Sequence, residues 1–185
     1  MDSAVVAETL RRMASSVIQY HPEWAHADPP GADWERLVFV GIQSRGVEVA
    51  RRLAAKIAEL TGDGDASPTL GSVDVSMHRD DLRRRQRPPA VLVTDLPLDL
   101  DDREVILVDD VFFTGRTVRA ALDALGDFGR PRRVQLAALV ERAGHRELPI
   151  RPDYVGESLN SAREDRIRVR FQSIDSEPDA VWLMR

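Results

Sequence analysis

The chain has 185 residues, a formal net charge of −5, 43% hydrophobic and 31% charged residues, and no cysteine. Those figures suit one domain with a full core, and they exclude disulfides, thiolate nucleophiles, cysteine-ligated metals and a whole-protein basic field for nucleic acid, leaving only local basic patches. No run reaches the roughly 18 apolar residues of a membrane span, and the N-terminal stretch lacks the apolar centre of a signal peptide, so a cytoplasmic protein is expected.

Taken in chain order, Val5, Leu10, Met13, Val17 and Ile18 follow one helical face, and the spacing predicts a helix over 2–20. Pro22, Pro29, Pro30 and Gly31 then make a connector, closing an N-terminal segment over 1–35. "RLVFVG" reads as a short buried strand. "GVEVARRLAAKIAEL" reads as a helix with Val47, Ala50, Leu53, Ala54 and Ile57 on one face. "TGDGDASPTLG" is a loop, and "SVDVSM" alternates like a half-buried strand. A charged, unpatterned arm covers 78–90, and "AVLVTDLP" is expected to hairpin back on the strand before it. A buried strand at 105–108, a helix "RTVRAALDALGDFG" and the strand "RRVQLAALV" form a βαβ unit, whose strands should be parallel. "DYVG", "RIRVRF" and "AVWLMR" are short strand candidates in the tail, over 157–185 for the most part. The expectation is one α/β domain with an open, mostly parallel twisted sheet flanked by helices. In such sheets ligands bind beyond the carboxyl ends of the strands.

One stretch leaves a strand at such an end with unusual chemistry, "VILVDDVFFTGRT" at 105–117. Thr114-Gly115-Arg116-Thr117 lies where a loop enters a helix. Unpaired backbone N–H groups and the helix dipole favour an anion there, and glycine lets a phosphate approach closely. Asp109 and Asp110, when ionised, only accept hydrogen bonds. Beside a phosphate they would repel it unless sugar hydroxyls or Mg²⁺ are held as well. The simplest ligand for the whole loop is a ribose 5-phosphate. The loop is not a nucleoside-triphosphate P-loop, because the G-x-x-x-x-G-K pattern is missing.

The stretch resembles the PRPP-binding signature of type I phosphoribosyltransferases. With "VGIQSRGVEVARRLA", "RDDL", "GRPRRVQLAALVER" and "GHRELPIRPDYVG", most of 38–156 resembles the PyrR family of pyrimidine operon attenuation regulators, which are also uracil phosphoribosyltransferases. The resemblance implies the type I fold with a small hood and a flexible β-arm over 78–90. It implies that Asp109 and Asp110 hold the ribose hydroxyls of PRPP, that Thr114, Gly115, Arg116 and Thr117 hold its 5-phosphate, and that Ser44, Arg45 and Gly46 form the pyrophosphate loop. Arg79, with Asp80 and Asp81, matches the arm that closes over PRPP, and Arg142 matches an arginine near the ligand. Mg²⁺ would arrive with PRPP near Asp109 and Asp110. The implied reaction is displacement of pyrophosphate from PRPP by uracil to give UMP, and the implied partners are UMP or UTP, the leader RNA of the pyrimidine operon, and further copies of the chain as a dimer or tetramer.

For RNA the family match points to His145 and Arg146, and Arg151 belongs to the same segment. Arg11 and Arg12 add to a basic face, as do the ten arginines against six acids between 130 and 170. Ser15, Tyr20 and Glu157 stand where relatives often carry His, Arg and Lys. The run 83–87 and the alternating Arg166, Arg168 and Arg170 read first as solvated faces, and Trp24, Trp34 and Trp182 as packing residues. A uracil salvage enzyme without RNA binding, and a type I transferase for another base, stay open as alternatives.

Overall fold

A computed structural model describes residues 1–22, 34–62, 67–76, 93–96 and 99–185. In chain order the elements are α1 (Ser3–Tyr20), a 3₁₀ turn (Trp34–Arg36), β1 (Leu37–Ile42), α2 (Arg45–Thr61), β2 (Thr69–Val73), β3 (Glu104–Phe112), α3 (Arg116–Leu125), β4 (Arg133–Arg142), β5 (Tyr154–Leu159), β6 (Arg166–Arg170), α4 (Gln172–Asp175) and β7 (Ala180–Met184). β1 to β5 form one sheet in the order β2-β1-β3-β4-β5, with every neighbouring pair parallel.

Both faces of this sheet are covered, which is why β1 is buried at all six positions. Strand alternation sorts the side chains into two cores. Leu37, Phe39, Ile106, Val108, Ala137 and Leu139 pack with Leu10, Met13 and Val17 of α1 and Val49, Leu53 and Ile57 of α2. Val38, Val40, Val105, Leu107, Leu136 and Ala138 pack with Val118, Ala121 and Leu125 of α3. Asp2 caps α1 by accepting from the Val5 amide at 3.0 Å.

Two expectations need correction. β2 begins earlier than "SVDVSM": it starts at Thr69, in the stretch read as loop, and stops at Val73. Its pairing with β1, not its own alternation, decides where it lies. The strand expected in "AVLVTDLP" is, in its described part, a single antiparallel bridge between Ser72 and Asp95, so the chain does run back along β2 as expected. "RIRVRF" and "AVWLMR" are strands as expected, and they pair with each other as the antiparallel β6–β7 ribbon. With α4 this ribbon forms the small hood, and Val169, Phe171 and Val181 bury it against the α1–α2 side of the core.

A buried carboxylate fastens the hood. Glu48 of α2 accepts from Arg51 and Arg52, and from the Ser173 hydroxyl of α4 at 2.7 Å. Arg52 also pairs with Asp179 and stacks over the Phe171 ring at 4.6 Å. Burial alone would raise the Glu48 carboxyl, but the hydrogen bonds from Arg51, Ser173 and Arg52 outweigh it and hold it down at about 2. A lowered carboxyl contributes stability above its unfolded value, and that contribution is lost as pH falls through the folded one. Glu48→Gln is therefore expected to cost about 2 kcal/mol at pH 7 and progressively less below pH 4, measured as urea unfolding at both pH values.

Candidate active site

The loops after β1 and β3 meet at the carboxyl edge of the sheet. Gly46, at the start of α2, lies so close to β3 that an added Cβ would sit 2.4 Å from the Val108 carbonyl oxygen and 3.3 Å from Asp109 Cα. No side chain fits there, so the backbone of the Ser44-Arg45-Gly46 loop rests directly on the strand that carries the acids. The Gln43–Ser44 peptide is cis. Ser44 precedes α2 without capping it through its side chain.

The acids were expected just past the end of a four-residue strand. Instead β3 runs on to Phe112, and both lie within it. Asp109 continues the row of Val105 and Leu107, which faces α3, and Asp110 continues the row of Ile106 and Val108, which faces α2. Asp109 is buried, lines a hollow of about 110 Å³ with Thr114, Gly115, Arg116 and Thr117, and accepts from the Asp110 amide at 2.9 Å. Burial pushes the Asp110 carboxyl above the ordinary range, against the opposing pull of Asp109's hydrogen bond, the Arg45 charge and backbone N–H groups. Arg45 bonds Asp175 of the hood at 2.6 Å, and its Nε is buried with no hydrogen-bond partner among the described residues.

The turn itself has the geometry expected for an anion. Gly115 adopts φ +91° at the N-cap of α3, and the Thr114 hydroxyl accepts from the Arg116 amide at 3.4 Å. The first α3 backbone bond runs from the Arg119 amide to the Gly115 carbonyl, so the N-terminal end of the α3 dipole lies at this turn. Arg116 reaches sideways and donates from Nε to Glu147 at 2.9 Å.

Other predicted residues fall elsewhere. Arg142 is buried and engaged: it donates to the Ser161 hydroxyl at 3.0 Å and to the Ala162 carbonyl at 2.6 Å, and it stacks over the Phe113 ring at 3.8 Å. It is thus a brace for the 160–163 segment beside the site. His145 has a ring nitrogen 2.7 Å from the Ser161 carbonyl oxygen and packs edge-on against Phe113. Arg146 and Arg151 are exposed and form no ion pair among the described residues. Arg11 pairs with Glu8 at 2.6 Å, and Arg12 pairs with Glu157 at 2.7 Å. Trp34 is buried, whereas Trp182 is exposed beneath the Arg170 guanidinium. Arg79, Asp80, Asp81, His78, Trp24 and the 83–87 run lie outside the described residues. Sequence reasoning missed Phe113 and Glu147, which join the turn to two neighbouring loops. Their only sequence signal was membership in two separate motifs.

A parallel sheet whose carboxyl edge brings two βα loops to an adjacent pair of acids defines an open α/β protein with a candidate anion site at the strand ends. The family model for the phosphoribosyl transferase domain matches residues 10–172. "Bifunctional protein PyrR" of Chloroflexus aurantiacus is 51% identical over 147 residues, covering 80% of this chain and 79% of that protein. The proteins of the same name from Deinococcus radiodurans and Listeria monocytogenes are 46% and 41% identical, covering 95% and 98% of this chain and 88% and 93% of theirs. The chain therefore belongs to the phosphoribosyltransferase family, in its PyrR branch. Solved structures share the fold at low identity. A Trypanosoma cruzi hypoxanthine phosphoribosyl transferase aligns with TM-score 0.69 at 14% identity, over 100% of this chain and 89% of that one. An HGPRT-ase from Leishmania tarentolae in complex with GMP aligns with TM-score 0.64 at 13% identity, over 88% and 81%.

The raised Asp110 carboxyl has a consequence for stability. A raised group favours folding below its unfolded value, and that contribution is lost as pH rises through the folded one. Above its unfolded value the raised carboxyl is therefore a cost to the ligand-free fold. Asp110→Asn should raise the urea midpoint at pH 7, and the gain should vanish near pH 4.

Proposed function

We propose that the chain transfers phosphoribose from PRPP to uracil, giving UMP and pyrophosphate, and that it regulates the pyrimidine operon by binding leader mRNA in a uridine-nucleotide-dependent way. The observation that carries the reading is Gly46 lying on β3 beside Asp109 and Asp110, with the Thr114–Thr117 turn across the same edge. In this reading the turn holds the 5-phosphate through amides, hydroxyls and the α3 dipole, Asp109 and Asp110 accept from the ribose hydroxyls, and Ser44, Arg45 and Gly46 hold the pyrophosphate. Charge builds on pyrophosphate as its bond to C1 breaks, and the Arg45 guanidinium, whose Nε has a donor to spare, opposes that charge.

Among the described residues no group of three or more carboxylates or histidines could cage a metal. Two acids fit Mg²⁺ of the kind that keeps several waters and is held chiefly by substrate phosphates. Mg²⁺ so bound would neutralise the leaving group. Asp109 and Asp110 would face its waters.

RNA binding is supported by the PyrR relatives and by Arg146 and Arg151, which stay exposed. The ion pairs of Arg11 and Arg12 reduce their reach for phosphates, since each guanidinium already serves a carboxylate. Among the described residues no helix is long and apolar enough to cross a membrane.

Two variants test the two halves. Asp109→Asn with Asp110→Asn should lower UMP formation from PRPP about a hundredfold or more with the fold intact by circular dichroism, and unchanged synthesis refutes the assignment of the acids. Arg146→Ala should weaken binding to the operon's leader RNA several-fold at fixed salt while UMP synthesis is spared. Binding of wild type that is no tighter than to an unrelated RNA, with and without UMP, leaves the salvage enzyme as the function.

A further inference from the structure

Glu147 lies outside the acid pair and outside the turn, yet it touches both sides of the site's rim. Its amide donates to the Thr114 carbonyl at 3.0 Å. One carboxylate oxygen accepts from Arg116 Nε at 2.9 Å, and the other accepts from Arg163. Its neighbours Leu148 and Ile150 carry the Cβ atoms nearest the space beside Gly115, at 3.5 and 3.7 Å from where a Cβ on that glycine would stand. The same three loops are joined a second time through Phe113, held between Arg142 and His145, both of which bond the 160–163 segment. The hydrogen bonds from Arg116 and Arg163 hold the Glu147 carboxyl below its ordinary range, so the carboxylate is ionised at neutral pH.

An ionised carboxylate bonded to an arginine of an anion-binding turn competes with the anion. A phosphate seated over the α3 N-terminus repels Glu147 and attracts Arg116, and the two partners of this ion pair are thereby pulled apart. Arg163 keeps the carboxylate partly neutralised in the meantime. We propose that Glu147 is a positioning residue that latches the phosphate turn to the 144–151 and 160–163 segments, and that a phosphate in the turn loosens the latch by competing for Arg116. This deepens the reading of the turn as a 5-phosphate site and rests on it. It gives the pocket a route by which occupancy changes the loop that presents Arg146 and Arg151.

The test uses the full chain with ribose 5-phosphate, which occupies the turn and carries no base. Glu147→Gln keeps the shape and the amide bond to Thr114 and removes the charge. Titration calorimetry should show ribose 5-phosphate binding roughly threefold tighter to this variant, the size expected for removing one like charge from a solvent-screened site. Arg163→Ala should weaken binding in wild type and have no effect in the Glu147→Gln background, because Arg163 acts through the carboxylate. Amide hydrogen exchange at 144–151 should speed up when ribose 5-phosphate binds wild type, and should already be fast in ligand-free Glu147→Gln. Equal affinity and equal exchange in the two proteins overturn the latch while leaving the phosphate site standing. No binding of ribose 5-phosphate to wild type overturns both the latch and the assignment of the turn.

Discussion

The contact on which the site depends is one between backbones. At Gly46 the loop after β1 lies on β3 with 2.4 Å between an imagined Cβ and the Val108 oxygen, so any side chain there would force the loop away. Parallel pairing of β1 with β3 puts both strand ends at the same edge, and this contact closes the remaining gap. The Arg45 charge then falls within reach of Asp110, and the α2 and α3 N-termini flank the acids from opposite faces of the sheet.

That geometry carries an electrostatic conflict. Burial makes the ionised Asp110 unfavourable in the ligand-free protein, and Asp109 is buried next to it. A fold that merely needed a βα connection would gain by placing an amide or an apolar residue there. Acids kept at a cost to the empty fold mark a candidate ligand site, and in the proposed reading the ligand brings hydroxyl hydrogens and a hydrated cation to them. Arginines nearby are occupied by carboxylates: Arg45 by Asp175, Arg116 by Glu147. In the proposed reading an incoming phosphate or pyrophosphate exchanges one anion for another at these guanidinium groups.

The hood shows how the periphery serves the edge. Glu48, Ser173, Arg52 and Asp179 fasten α4 to α2, and α4 in turn supplies Asp175 to Arg45. The C-terminal hood therefore braces the 44–46 loop although it lies outside the main sheet. The 160–163 segment plays the same part on the other side, tied to the 114–117 turn through Arg142, His145, Phe113 and Glu147.

Much of this was legible in the residues. The apolar runs of β1, β3 and β4, the helical faces of α1 to α3 and the strand–acid–acid–T-G-R-T order are local patterns, and local patterns report which face of an element is buried and what a turn can bind. Residue patterns alone established the α/β class and the parallel βαβ unit at β3, and singled out a turn chemically suited to an anion. Whatever depends on neighbours distant in the chain was settled by folding. β2 takes its limits from pairing with β1, and the last two strands leave the main sheet because they pair with each other. Arg142, Arg12 and Arg116 meet partners 20, 145 and 31 positions away, so a guanidinium that reads as free in sequence is committed in space. Charge and shape act through distance in three dimensions, and only folding sets those distances.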